Sequence, residues 1–145
     1  MAEDDRGMRS LLTRALRRDG FETLVVATGT DALEALASED VDLVISDYQL
    51  PGATGGAVGA MAARRGIPAV LVTGTPEMVS PEELEHFLMM LPKPFSLVEL
   101  AEAFEALRSA VGRRRSRSGV RARERSSAGV IAAPAPVAKT GDGER

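Results

Sequence analysis

One run constrains the fold of this chain more than any other. Val41-Asp42-Leu43-Val44-Ile45-Ser46 is apolar at most positions and rich in β-branched residues, and it ends on Asp47. Such a run reads as a buried strand. Tyr48-Gln49-Leu50-Pro51-Gly52 follows, and Pro-Gly is a turn signal. An acidic side chain therefore stands where a buried strand gives way to a loop. In an open parallel α/β sheet that carboxyl edge is where ligands and chemistry collect. A carboxylate placed there can ligate a metal, act as a base, or accept phosphate as a nucleophile.

The segments around this run alternate. Apolar residues at 8, 11, 12, 15 and 16 have a helical period, with Arg17-Arg18 at the end and Gly20 as the stop. Glu22–Ala27 reads as a strand. Thr30 is placed to cap a helix through Leu36. Residues 56–65 read as a helix that Gly56 and Gly59 weaken. Ala69–Val72 reads as a strand ending at Thr73-Gly74-Thr75. Ser80-Pro81-Glu82-Glu83 is a helix start with proline at its first position. Phe87–Leu91 reads as a strand ending at Pro92-Lys93-Pro94-Phe95, and Ser96 caps a helix to about Val111. Strands alternating with helices imply a parallel, doubly wound α/β sheet. That topology brings Asp47, Thr73 and Lys93 to one edge, with Glu3-Asp4-Asp5 ahead of the first helix.

Composition narrows the chemistry. With 145 residues there is room for one ordinary domain. No cysteine is present, which removes disulfides and thiolate chemistry, and a single His makes a zinc site improbable. No apolar run approaches a membrane span and no signal peptide is visible, so the expectation is a cytoplasmic protein that does not engage a membrane. The net charge of −3 hides an asymmetry. Residues 1–111 carry 9 Lys+Arg against 18 Asp+Glu, whereas residues 112–145 carry 9 against 3. Periodicity stops at Gly112, and Arg, Ser, Ala and Pro dominate beyond it. The division expected is a domain over 1–111 and a disordered basic tail over 112–145.

Phosphoryl transfer to a carboxylate needs an in-line nucleophile, a divalent cation between two anions, and donors for the equatorial oxygens. Asp47 can supply the nucleophile, Glu3 and Asp4 hard oxygen ligands, Thr73 a hydroxyl and Lys93 a point charge. This set resembles the receiver domain of bacterial two-component response regulators. The likeness runs from about Glu3 to Val111 and is carried by Glu3-Asp4-Asp5, Asp47 with Leu50-Pro51-Gly52 and Gly55, Val72-Thr73-Gly74, and Lys93-Pro94-Phe95. The resemblance implies a flavodoxin-like sheet of order 2-1-3-4-5. It implies that Asp47 accepts a phosphoryl group from a histidine kinase or histidine phosphotransfer protein. Mg²⁺ would be held by Glu3, Asp4, Asp47 and the backbone carbonyl of Gln49. Thr73 and Lys93 would bind the phosphoryl group, with Lys93-Pro94 cis. The chain would be a signalling module rather than an enzyme, with no chemistry beyond gaining and losing its own phosphoryl group. Output would pass through a shift of surface states to a downstream effector protein.

Two departures stand out. The family has an aromatic residue three positions before the lysine, a switch position that here is Met90. The family also has an apolar first strand directly before its acidic pair, and here only Met1 and Ala2 precede Glu3. Three or four missing buried side chains would remove roughly 5–10 kcal/mol, against a whole-domain stability of about 5–15 kcal/mol. Two strand edges would face a gap. The expectation is a misplaced start or a truncation, with poor folding and weak Mg²⁺ binding.

Other readings compete. A degenerate receiver could act as a phosphate-independent interaction module. A Mg²⁺-dependent aspartyl-phosphate hydrolase usually has Asp-x-Asp after its strand, and Gln49 occupies the second position here. Arg113-Arg114-Arg115-Ser116-Arg117, with Arg121, Arg123 and Arg125, would attract nucleic-acid phosphates without sequence preference. No aromatic is interleaved and no helix-turn-helix is visible, which argues against nucleic acid as a partner. A solvated tail, or one folded back on the acidic body, accounts for the same residues.

Overall fold

In a computed structural model, which describes residues 3–117 and 127–132, the chain forms a five-stranded parallel sheet with helices on both faces. The elements are α1 (Glu3–Arg18), β1 (Phe21–Val26), α2 (Gly29–Ser38), β2 (Val41–Asp47), α3 (Gly55–Arg64), β3 (Ala69–Thr73), a 3₁₀ turn (Pro76–Met78), α4 (Pro81–Leu84), β4 (Met89–Pro92), α5 (Leu97–Arg117) and β5 (Ser127–Ala132). Among the described residues no helix is long and apolar enough to cross a membrane.

Near-continuous apolar runs form β2 and β3 because both faces of a parallel sheet are covered. Leu43, Ile45, Val70 and Val72 turn to one face and pack with Leu12 and Leu16 of α1 and with Leu100, Phe104 and Leu107 of α5. Val41, Val44, Ala69 and Leu71 turn to the other face and meet Ala32 and Leu36 of α2 and Val58 and Ala62 of α3. Local capping fixes the helix starts. Thr28, rather than Thr30, caps α2 by accepting from the Asp31 amide. Thr54 accepts from Ala57 at the start of α3. Ser80 and Glu83 form a reciprocal capping box at α4. The acidic residues Glu3, Asp4 and Asp5 lie within the first turn of α1 and not ahead of it.

The strand order in space is β1-β5-β2-β3-β4. It is the doubly wound parallel sheet expected, with two added details. The slot between β1 and β2 is not a gap: β5 lies in it, parallel to both neighbours. Its register pairs Val130 with Leu24 and Val44, and Ile131 with Val25 and Ile45. Nor is the region after Val111 uniformly unstructured, because α5 continues to Arg117 and Ser127–Ala132 is a strand. Two physical reasons account for this. Val130-Ile131 is β-branched, and two unpaired parallel edges offer it a ladder on each side. Upstream, Arg114 donates to the carbonyl of Val41 at 3.2 Å and Arg115 meets Asp42 at 3.2 Å, fastening the end of α5 to the start of β2. Residues 118–126 and 133–145 of the expected tail, with Arg121, Arg123 and Arg125, lie outside the described residues.

Connections β1–α2–β2, β2–α3–β3 and β3–α4–β4 run one way along the sheet over the α2–α3 face. The β4–α5–β5 connection runs back over the opposite face. Reversing both direction and face leaves the hand unchanged, so all four crossovers share one hand, as parallel crossovers are expected to.

Candidate functional site

Three strand ends converge at the carboxyl edge of the sheet. Asp47 closes β2, Thr73 closes β3 and Lys93 follows β4. The Lys93 ammonium donates to Asp47 Oδ2 at 2.7 Å, with the two side chains 27% and 12% exposed. This is a short, charge-assisted contact in a partly dehydrated setting, where such a bond is strongest. Asp47 Oδ1 faces the Gln49 amide at 3.4 Å, at the long limit of a hydrogen bond. The Lys93 amide donates to the carbonyl of Thr73 at 2.8 Å, so lysine and threonine are placed by one backbone link. The Lys93-Pro94 peptide is cis.

The Thr73 side chain is fully buried. Its hydroxyl accepts from the Thr75 amide at 3.0 Å and lies 3.3 Å from the Thr75 hydroxyl. It is thus engaged with its own loop. Met90, on β4, is partly buried against the core cluster on the α2–α3 face. Gly55 is required at the start of α3, because a Cβ there would collide with the carbonyl of Asp47.

Glu3 and Asp4 are backbone positions in the first turn of α1. The Asp47 carboxylate oxygens are donors of the kind a hard cation takes. Among the described residues no cluster of three or more acidic or imidazole groups forms.

Two residues beside Asp47 carry geometry that sequence reasoning missed. The Tyr48 hydroxyl donates toward the Glu83 carboxylate, 3.1 Å and 3.3 Å from its oxygens, with the carbonyl of Met78 also at 3.3 Å. Burial, and then the Glu83 carboxylate, push the Tyr48 phenol up from its ordinary value. The Ser80 backbone N–H is the main cause holding Glu83 below the ordinary carboxylate value. Thirty-five positions separate the pair in sequence, so only the fold reveals it.

Comparison with known proteins follows the same lines. Residues 1–105 match the response regulator receiver domain family. The chain belongs to that family, and it is a receiver domain of two-component signalling: a signalling module, not an enzyme in the ordinary sense. Among its relatives is the DNA-binding response regulator MtrA of Mycolicibacterium paratuberculosis, 33% identical over 109 residues, which are 71% of this chain and 48% of MtrA. Another is the transcriptional activator PfeR of Pseudomonas aeruginosa, 34% identical over 74% of this chain and 36% of PfeR. The chain thus spans about half, or less, of the length of the curated relatives it matches. Among solved structures, the response regulator TrrA of Thermotoga maritima, in complex with Mg²⁺ and BeF, superposes with a TM-score of 0.61 at 27% identity, over 72% of this chain and 92% of TrrA. The receiver domain of a Pseudomonas aeruginosa sensor histidine kinase, with magnesium in its active-site cleft, shares the fold at 23% identity, with a TM-score of 0.58 over 72% and 88% of the two chains.

Proposed function

We propose that Asp47 is the phosphoacceptor of a phosphorelay and that Lys93 and Thr73 receive the transferred group. The observation that carries this reading is the 2.7 Å Lys93–Asp47 pair at the sheet's carboxyl edge. In the step, an Asp47 carboxylate oxygen attacks phosphorus, the nitrogen–phosphorus bond of a phosphohistidine donor breaks, and the imidazole leaves. Lys93 holds the carboxylate before transfer and meets the added charge afterwards. Thr73, one residue beyond the Asp47–Val72 register pair, can turn its hydroxyl from Thr75 to a phosphoryl oxygen. Asp47, the Gln49 carbonyl, Glu3 and Asp4 would hold Mg²⁺, which when bound offsets the charge between carboxylate and phosphate. The donor would be a histidine kinase or histidine phosphotransfer protein in the cytoplasm, and the output would pass to an effector protein.

Intact mass before and after a small acyl-phosphate donor with Mg²⁺, alongside Asp47→Asn, tests this. Gain of one phosphoryl group, lost in the variant, is the expected result; no gain in the wild type would overturn it. One observation favours a second reading, a phosphate-independent interaction module. The strand beside β2 runs into Ala133-Pro134 rather than into acidic residues. Mg²⁺ titration separates the two readings, since the second expects no saturable binding at millimolar concentrations.

A further inference from the structure

We propose that Tyr48 is a positioning residue that carries the phosphorylation state of Asp47 to α4 through its hydroxyl bond to Glu83. The inference rests on the reading of Asp47 as phosphoacceptor and adds a route to the surface.

Tyr48 is held at its backbone on two sides. Its amide donates to the carbonyl of Val72 at 3.2 Å, and its carbonyl accepts from Gly55 at 2.8 Å. It also stands between Asp47, held by Lys93, and Gln49, whose amide faces Asp47 Oδ1. A phosphoryl group on Asp47 competes for both of those donors, and Tyr48 lies within the backbone that must adjust. The far end of its side chain is the hydroxyl. One hydroxyl has one proton to give, and the Glu83 carboxylate is its shortest acceptor, at 3.1 Å.

Glu83 has a second duty. Its Oε2 accepts from the Ser80 amide at 3.0 Å, completing the capping box of α4. Four residues make a single turn, far too short to persist on its own propensity, so the cap and its packing hold α4 in place. That packing also passes through Glu83, which lies against Gly56 of α3 where a Cβ would displace it. A single carboxylate therefore serves the acceptor loop and the cap of the neighbouring helix. Displacing the phenol alters the cap.

The test is amide hydrogen exchange of the full chain, with and without a small acyl-phosphate donor and Mg²⁺, for wild type, Tyr48→Phe and Glu83→Gln. Phosphorylation of the wild type should change protection of residues 82–88 by about 10- to 150-fold, the range set by one hydrogen bond to a charged group. Tyr48→Phe should still gain one phosphoryl group yet lose that difference. Glu83→Gln retains an acceptor and a capping-box side chain without the charge, and should keep a smaller response. Tyr48 is the single tyrosine and the chain has no tryptophan, so emission of the wild type reports this ring alone and should change on phosphorylation. An unchanged emission, or a Tyr48→Phe chain whose residues 82–88 respond as the wild type does, overturns the relay. A wild type that gains no phosphoryl group overturns the functional reading, and the relay with it.

Discussion

The 2.7 Å contact between Lys93 and Asp47 places a cation where a carboxylate would gain further negative charge. Lys93→Ala should slow donor-dependent labelling of Asp47 by about 100-fold, read as the initial rate of mass gain. An unchanged rate would remove Lys93 from that role. Glu83 sets a pH dependence of its own. Its folded value lies below its ordinary 4.5, first because of the Ser80 amide, with Tyr48, the Ser80 hydroxyl and His86 adding to the effect and burial opposing it. A lowered carboxylate contributes stability that is complete above its unfolded value and is lost as pH falls through its folded value. Protection of residues 80–88 should therefore be constant above about pH 4.5 and fall below it. Glu83→Gln should abolish that step in a pH series of exchange rates, and a step retained in the variant would assign it to another group. The strand-end positions of Asp47, Thr73 and Lys93 were legible from sequence because each ends an apolar run at a turn. Tyr48–Glu83 was not, because nothing in either local sequence points to the other.

At the scale of elements, caps and pairing decide. Ser80→Ala removes the acceptor for the Glu83 amide and should cost about 1 kcal/mol, visible as exchange at 81–84 before it appears in global unfolding. The strand β5 pairs on both edges. Proline cannot donate to a ladder and is excluded from central strands. Val130→Pro should destabilise the domain by about 3 kcal/mol or more, lowering the thermal midpoint by about 10 °C. A midpoint equal to that of the wild type would mean that Ser127–Ala132 does not stabilise the sheet in solution. Strands β2 and β3 were readable from their continuous apolar runs. The strand β5 was not, because Ala-Gly-Val-Ile-Ala sits among Arg, Ser and Pro. Its state is decided by two edges about 85 and 105 residues earlier in the chain, a non-local term that local propensity does not contain.

Across the whole molecule, the expected doubly wound architecture is present with an unexpected connectivity. The acidic body and the basic residues that follow it meet through Arg114 and Arg115 on Asp42. These pairs are partly exposed, so Asp42→Asn should cost no more than about 1 kcal/mol, and 1 M salt should shrink the difference. Paired thermal melts at low and high salt measure it. The small size of that effect, set beside the larger one expected for Val130→Pro, assigns the end of the chain its stabilising role through the sheet rather than through charge.

The place of β5 also matters while the chain is being made. The strand that comes fifth in sequence stands second in space, so a ribosome makes both flanks of the sheet before it makes the middle. About 100 residues separate the end of β1 from the start of β5, which at cellular elongation rates is roughly 5–20 s. For that interval β1 and β2 each present an edge without its partner, the condition in which nascent chains associate wrongly. Among the described strands, the one that closes the centre of the sheet is thus the last to be made.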